Sequence, residues 1–99
     1  MAVTSEVSAD GSKLTIAIKG RFDFAKHQEF RDAYEELSPA PACVVVDLKE
    51  ATYLDSSALG MLLLLKERVG TKPIILSNAK GTVKSVLEIA NFHQLFTMK

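Results

Sequence analysis

The stretch CVVVDLKEATYLDSSALGMLLLLKERVG, from Cys43 to Gly70, decides the fold. It opens on a continuous β-branched run, Cys43 to Leu48, which predicts a central strand covered on both sides. A short loop, Lys49 to Leu54, is expected to hand this strand over to a helix from Ser56 to Val69. Gly70 is a normal stop for such a helix. At 100° per residue, Ala58, Met61, Leu62, Leu65 and Val69 form one stripe, which is expected to face the sheet. Leu59 and Leu63 widen that stripe on one flank. Leu64 points elsewhere, between the bearings of Gly60 and Arg68, and is hard to bury against a single sheet. A leucine so placed suggests a docking surface for another protein.

Upstream, Leu14, Ile16 and Ile18 alternate with Thr15, Ala17 and Lys19, the period of a strand with one covered face. Val3 to Val7 is its expected hairpin partner, turned at Asp10-Gly11. Gly20-Arg21-Phe22-Asp23 breaks the alternation. A helical pattern then runs from Ala25 to Leu37 and ends at Ser38-Pro39, since a residue before proline is pushed out of helical angles. Downstream, Lys72 to Ser77 reads as a strand and Thr82 to Ala90 as a helix burying Val83, Val86, Leu87 and Ala90. The tail from Phe92 to Met98 suits a short strand or helical turn. The order β-β-α-β-α-β-α plus a tail predicts an α/β fold: a mixed sheet of four to five strands with three to four helices packed on it. Residues 1–99 form one domain in this reading.

Composition removes several function classes. Lys plus Arg and Asp plus Glu balance at 12 each, which does not suit a nucleic-acid partner. The longest unbroken apolar run, Met61 to Leu65, is far short of a membrane span. The N-terminal segment MAVTSEVSADGSK has neither the basic nor the apolar part of a secretory signal. A single cysteine, Cys43, excludes an internal disulfide and points to a reducing cytoplasm. Cys43 itself reads as a small core residue. His27 and His93 are the two histidines; His27 is expected to be a solvated surface group. With one cysteine at unrelated spacing they make no metal site, and neither is placed as a base for a serine nucleophile. No G-x-S-x-G turn and no glycine-rich phosphate loop is present. The chain is expected to be neither an enzyme nor the holder of a cofactor.

Asp55, Ser56 and Ser57 sit where a strand passes to a helix, at the carboxyl end of a parallel sheet, where α/β domains place working groups. In the bland reading one of the three simply caps the helix, contributing about 1 kcal/mol. In the functional reading Ser56 also presents a hydroxyl, and a phosphate on it would meet the unpaired first amides of the helix.

The segment Asp55-Ser56-Ser57-Ala58-Leu59-Gly60, behind a buried strand and Tyr53-Leu54, resembles the signature of STAS domains of the anti-sigma factor antagonist family. Gly20-Arg21-Phe22-Asp23 is similar to that family's G-x-x-D segment, and the element order agrees over nearly the full chain. The resemblance implies phosphorylation at Ser56 by a partner serine kinase, often itself the anti-sigma factor, and removal of the phosphate by a PP2C-type phosphatase. It implies that the unphosphorylated chain binds its partner and the phosphorylated chain releases it. Asp23 and Asp55 take supporting positions beside the phosphosite; Ser57 and Leu64 are assigned to the same surface. Ala58 stands where many members have glycine, which favours the helix start. The alternative is a STAS-like domain that senses a nucleotide or lipid without phosphorylation, through a pocket near Asp23 and Ser56. A hydrolase using Ser56 ranks last, for want of a base.

Overall fold

The computed structural model describes residues 2–35 and 41–99. Five strands, β1 (Val3–Val7), β2 (Lys13–Phe22), β3 (Cys43–Leu54), β4 (Ile74–Ser77) and β5 (Thr97–Met98), form one sheet in the order β1-β2-β3-β4-β5. β1 and β2 pair antiparallel, and every other neighbouring pair is parallel. Three helices, α1 (His27–Asp32), α2 (Ser56–Val69) and α3 (Gly81–Ile89), occupy the crossovers, with 3-10 turns at Phe24–Lys26 and Phe92–Gln94.

The β1–β2 turn is built from Asp10. Its Oδ1 accepts from the Ser12 amide at 3.0 Å, the Ser12 hydroxyl at 2.7 Å and the Ser8 hydroxyl at 2.8 Å. These donors, led by the Ser12 amide, hold its carboxyl down to about 2.

Strand order follows chain order without reversal. Because βαβ crossovers are right-handed, a sheet that grows in one direction receives all its helices on one face. Burial agrees. Leu14, Ile16, Ile18 and Phe22 of β2, Val44, Val46 and Leu48 of β3, and Ile74 and Leu76 of β4 join the helix residues Phe30, Ala58, Leu62, Leu65, Val83 and Leu87 in one buried cluster. The alternate residues Thr15, Ala17, Cys43, Val45, Asp47, Ile75 and Ser77 are only half-buried. The prediction of a strand covered on both faces is therefore corrected: β3 is central in the sheet but has one covered face. Cys43 belongs to the opposite, half-buried face instead of the core.

The segment predicted as a loop, Lys49 to Leu54, is also strand. β3 continues beside β2 through the pairs Lys19↔Glu50, Gly20↔Ala51, Arg21↔Tyr53 and Phe22↔Leu54, with irregularities between Ala17 and Lys19 and between Gly20 and Arg21. At each irregularity β3 spends one residue more than β2, so each flips the phase of its side chains. Inward residues accordingly run Val44, Val46, Leu48, then Ala51, then Leu54. Glu50 and Thr52, which strict alternation would turn inward, stay exposed. Gly20 takes φ +80°, which lets β2 follow the kink. Thus Gly20 to Phe22 remains in the strand.

α1 is shorter than predicted: the turn Phe24–Lys26 is 3-10, and the α-helix ends at Asp32, with turn bonds continuing to Glu35. The predicted end at Leu37 and Ser38-Pro39 lies outside the described residues. Phe30 anchors α1, its ring 5.1 Å from Phe22 and 5.7 Å from Tyr34. Pro73 lies just before β4 and gives its carbonyl to the Val44 amide at 3.1 Å. In α3, Val83 and Leu87 are buried while Val86 and Ala90 pack at the margin. The tail forms both a 3-10 turn and the short β5.

Candidate functional site

β2 and β3 run parallel and end on paired residues, Phe22 and Leu54. Asp23 and Asp55 are the next residues of each chain segment, so they leave the sheet side by side, on strands roughly 4.8 Å apart. Each carboxylate caps the helical turn that follows it. Asp23 Oδ1 accepts from the Ala25 amide at 3.1 Å, starting the 3-10 turn. Asp55 Oδ1 accepts from the Ala58 amide at 3.1 Å, starting α2.

The two serines differ. The Ser57 hydroxyl donates to Asp55 Oδ1 at 2.6 Å and is half-buried. Ser56 is the first residue of α2, is exposed, and its hydroxyl has no hydrogen-bond partner among the described residues. The cap is therefore Asp55 with Ser57 bound to it, and Ser56 is left to solvent at the positive end of the helix.

The Ser57 hydroxyl, and after it the Ala58 amide, hold the Asp55 carboxyl below the usual carboxylate range against an opposing effect of desolvation. The folded value lies below the unfolded one, about 3.9. The contribution of this group is then complete above the unfolded value and lost as pH falls through the folded one. On acidification from about pH 5.5 towards pH 2.5, the thermal midpoint of Asp55→Asn is expected to fall less than that of the wild type. An equal fall in both would rule out a stabilising Asp55 carboxylate. Asp55→Ala, which removes the cap altogether, is expected to cost about 1 kcal/mol at neutral pH.

Two cations that the sequence reading did not single out stand at Asp23. Arg21 Nε lies 3.4 Å from Asp23 Oδ2, and Lys26 Nζ 3.8 Å from Asp23 Oδ1. The Arg21 guanidinium also lies over the Tyr53 ring, 3.9 Å from its centroid, so the cross-strand pair Arg21↔Tyr53 positions it. Their spacing from Asp23, two residues before and three after, was the available signal.

An apolar surface adjoins these groups. Phe24 is 69% exposed and stacks on His27 at 5.3 Å, so His27 is half-buried, a departure from the solvated group expected. Along the outer row of α2, Leu63 and Gly60 lie within about 20° and 40° of the Ser56 bearing, and Leu64 about 80° away. Leu63 is 42% and Leu64 51% exposed; Leu63 does not join the sheet-facing stripe. Nothing lies within 4 Å of a Cβ built on Gly60, so internal packing does not require that glycine. Phe24, Leu63 and Gly60 were not singled out from the sequence as surface residues.

Asp23, Asp55, Ser56 and Ser57 are thus brought together, while Leu64 sits about 12 Å further along α2. Leu64 also lines a groove of about 490 Å³ between α1 and α2, with Phe30, Tyr34, Met61, Arg31 and Arg68 among its walls. Neither Asp23 nor Ser56 lines it. Among the described residues no three His, Cys, Asp or Glu side chains gather as a metal would require, and no helix is long and apolar enough to cross a membrane.

A one-sided, five-stranded mixed sheet with a capped serine segment after its central strand is the STAS fold. The chain belongs to the STAS-domain family: residues 5–97 match the family described as Mlab, STAS domain. It is 57% identical to a STAS-domain containing protein of Pseudomonas aeruginosa strain UCBPP-PA14, over 97% of each chain. Among solved structures it resembles the Bacillus cell fate determinant SpoIIAA in its phosphorylated form, at TM-score 0.72 and 17% identity, over 99% of this chain and 91% of that one. The unphosphorylated form of SpoIIAA, an anti-sigma factor antagonist, matches at TM-score 0.71 and 18% identity, over 89% and 83%. A sulfate transporter family protein from Wolinella succinogenes shares the fold equally well, at TM-score 0.76 and 14% identity, over 91% and 74%.

Proposed function

We propose that this chain is a partner-switching protein of the anti-sigma factor antagonist type, without enzymatic activity of its own and working in the cytoplasm as a single domain. Unmodified, it binds an anti-sigma factor or serine kinase; phosphorylated on Ser56, it releases that partner; a PP2C-type phosphatase restores it. The observation that carries this reading is the contrast between the two serines: Ser57 is tied to Asp55, and Ser56 offers a free, exposed hydroxyl. Phe24, Leu63 and Leu64 supply exposed apolar surface around and beyond that hydroxyl. The likeness to SpoIIAA, which exists in unphosphorylated and phosphorylated forms, lends support.

The second reading, a STAS module that senses a nucleotide or lipid, was expected to use a pocket near Asp23 and Ser56; the groove available to a ligand lies instead between α1 and α2. Its position beside Leu64, away from Asp23 and Ser56, makes it independent of the capped serine.

The deciding experiment is intact mass of the chain purified from its native cells, with peptide mapping across Tyr53 to Lys66. A phosphatase-sensitive phosphate on Ser56 is expected. Modification of Ser57 instead would overturn the assignment, and an unmodified chain through all growth phases and in lysate with ATP would favour the ligand reading.

A further inference from the structure

The charges around Ser56 are arranged in a way that bears on how a phosphate there is received. Two carboxylates emerge together, Asp23 and Asp55, and they are satisfied differently. Asp55 is held by the α2 amide of Ala58 and the Ser57 hydroxyl, with no cation paired to it among the described residues. Asp23 is held by the Ala25 amide and by both nearby cations, Arg21 and Lys26. Both pairings with Asp23 are loose: Arg21 makes a single Nε contact at 3.4 Å from its place over the Tyr53 ring, with its side chain 61% exposed, and Lys26, 20% exposed, stands off at 3.8 Å.

A phosphoserine at the first position of α2 places about −1.5 to −2 charges one residue beyond Asp55, beside the strand end that carries Asp23. Guanidinium and ammonium groups pair more strongly with a phosphate dianion than with a single carboxylate. We propose that Arg21 and Lys26 are the receiving cations for a phosphate on Ser56, which takes over from Asp23 the pairing they make in the unmodified chain. The proposal rests on Ser56 being the modified residue. Asp23 is then the internal competitor that occupies the cations until the phosphate arrives. Since Lys26 belongs to the turn Phe24–Lys26, the exchange also ties the state of Ser56 to the turn that presents Phe24.

The test inserts phosphoserine at position 56 of the full chain during translation, so that no kinase is needed, and follows the phosphate by 31P NMR titration. Its second pKa is ordinarily about 6. The wild-type background is expected to lie about half a unit or more below the Arg21→Gln/Lys26→Met double variant. Lys26→Met alone is expected to lie between them. Asp23→Asn, whose amide oxygen can still cap Ala25, is expected to shift the value in the opposite direction from the double variant, below wild type. The α2 N-terminus is common to every chain and cancels. In about 1 M salt the differences should shrink, because the screening length falls to about 3 Å. Equal values in wild type, the double variant and Asp23→Asn overturn the proposal. That outcome is separate from the native-cell experiment: an unmodified Ser56 in cells defeats the switch reading even where the synthetic phosphoprotein shows the shift.

Discussion

Phosphorylation of Ser56 is expected to weaken binding of the partner by about a hundredfold or more, and Ser56→Ala is expected to bind at full strength whatever the kinase activity. The repulsion between the phosphate and a carboxylate about 6 Å away in water is small, roughly 1 kcal/mol. The larger effect is desolvation. A dianion buried under a partner together with the cations that pair with it still costs several kcal/mol in desolvation, and each 1.4 kcal/mol is a tenfold loss of affinity. On the proposed pairing, the α2 N-terminus and the cations at Asp23 would stabilise the phosphate in the free chain, and docking would have to displace or bury them as well. The loss therefore comes from local charge, with the backbone nearly fixed. Calorimetric titration of the purified anti-sigma factor or kinase into phosphorylated, unphosphorylated and Ser56→Ala chains measures it directly. Failure of Ser56→Ala to bind, or a dissociation constant within twofold after phosphorylation, would defeat the off-switch. Ser56→Asp is expected to fall between, since one carboxylate is a poor substitute for a phosphate dianion.

Leu62→Ala is expected to cost about 3–4 kcal/mol of folding stability, a large part of the roughly 5–15 kcal/mol typical of small domains. Leu62 is fully buried where α2 meets the sheet, alongside Ala58 and Leu65, and truncation leaves a cavity that rigid neighbouring strands cannot close. Leu64→Ala, two residues along the same helix, is expected to change stability by less than about 1 kcal/mol, because Leu64 is 51% exposed. Its effect should appear instead as weaker partner binding. Urea unfolding followed by circular dichroism separates the two variants. Equal costs would mean that α2 does not lie on the sheet as described.

The bounds of α2 were legible in the sequence, though the outward turn of Leu63 was not. The helix's leucine stripe, the polar residues before it and Gly70 after it predict Ser56 to Val69, the bounds observed. The β1–β2 hairpin was equally readable, because Leu14, Ile16 and Ile18 keep an unbroken period of two. β3 was truncated at Leu48 for a physical reason: its irregularities reset the phase, and periodicity is the signal by which a strand is seen. The one-sided burial of β3 was hidden because Val45, on the half-buried face, is as apolar as Val44 and Val46. At the site, the positions of Asp23, Asp55 and Ser56 were legible. The resemblance assigned the phosphosite to Ser56 over Ser57, but the local pattern did not show which of the two is tied into the cap, since both are small hydroxyl residues that suit a helix start; the hydrogen bond to Asp55 shows it is Ser57. Arg21 and Lys26 were overlooked because their meaning depends on a strand end and a 3-10 turn folding them onto one carboxylate.

The two extra residues of β3 act as a parity count. One phase reset turns Ala51 inward; the second restores Leu54 to the side of Val44 and delivers Asp55 beside Asp23. Deleting a single residue between Leu48 and Leu54 would leave the count odd, turning Leu54 to the open face and rotating the start of α2 away from its neighbour. Deleting two would restore the facing but draw the helix back by roughly 6–7 Å. Length changes in this segment would thus be tolerated, if at all, in even steps, and loss of an odd number would disarm the site while leaving each of its residues present.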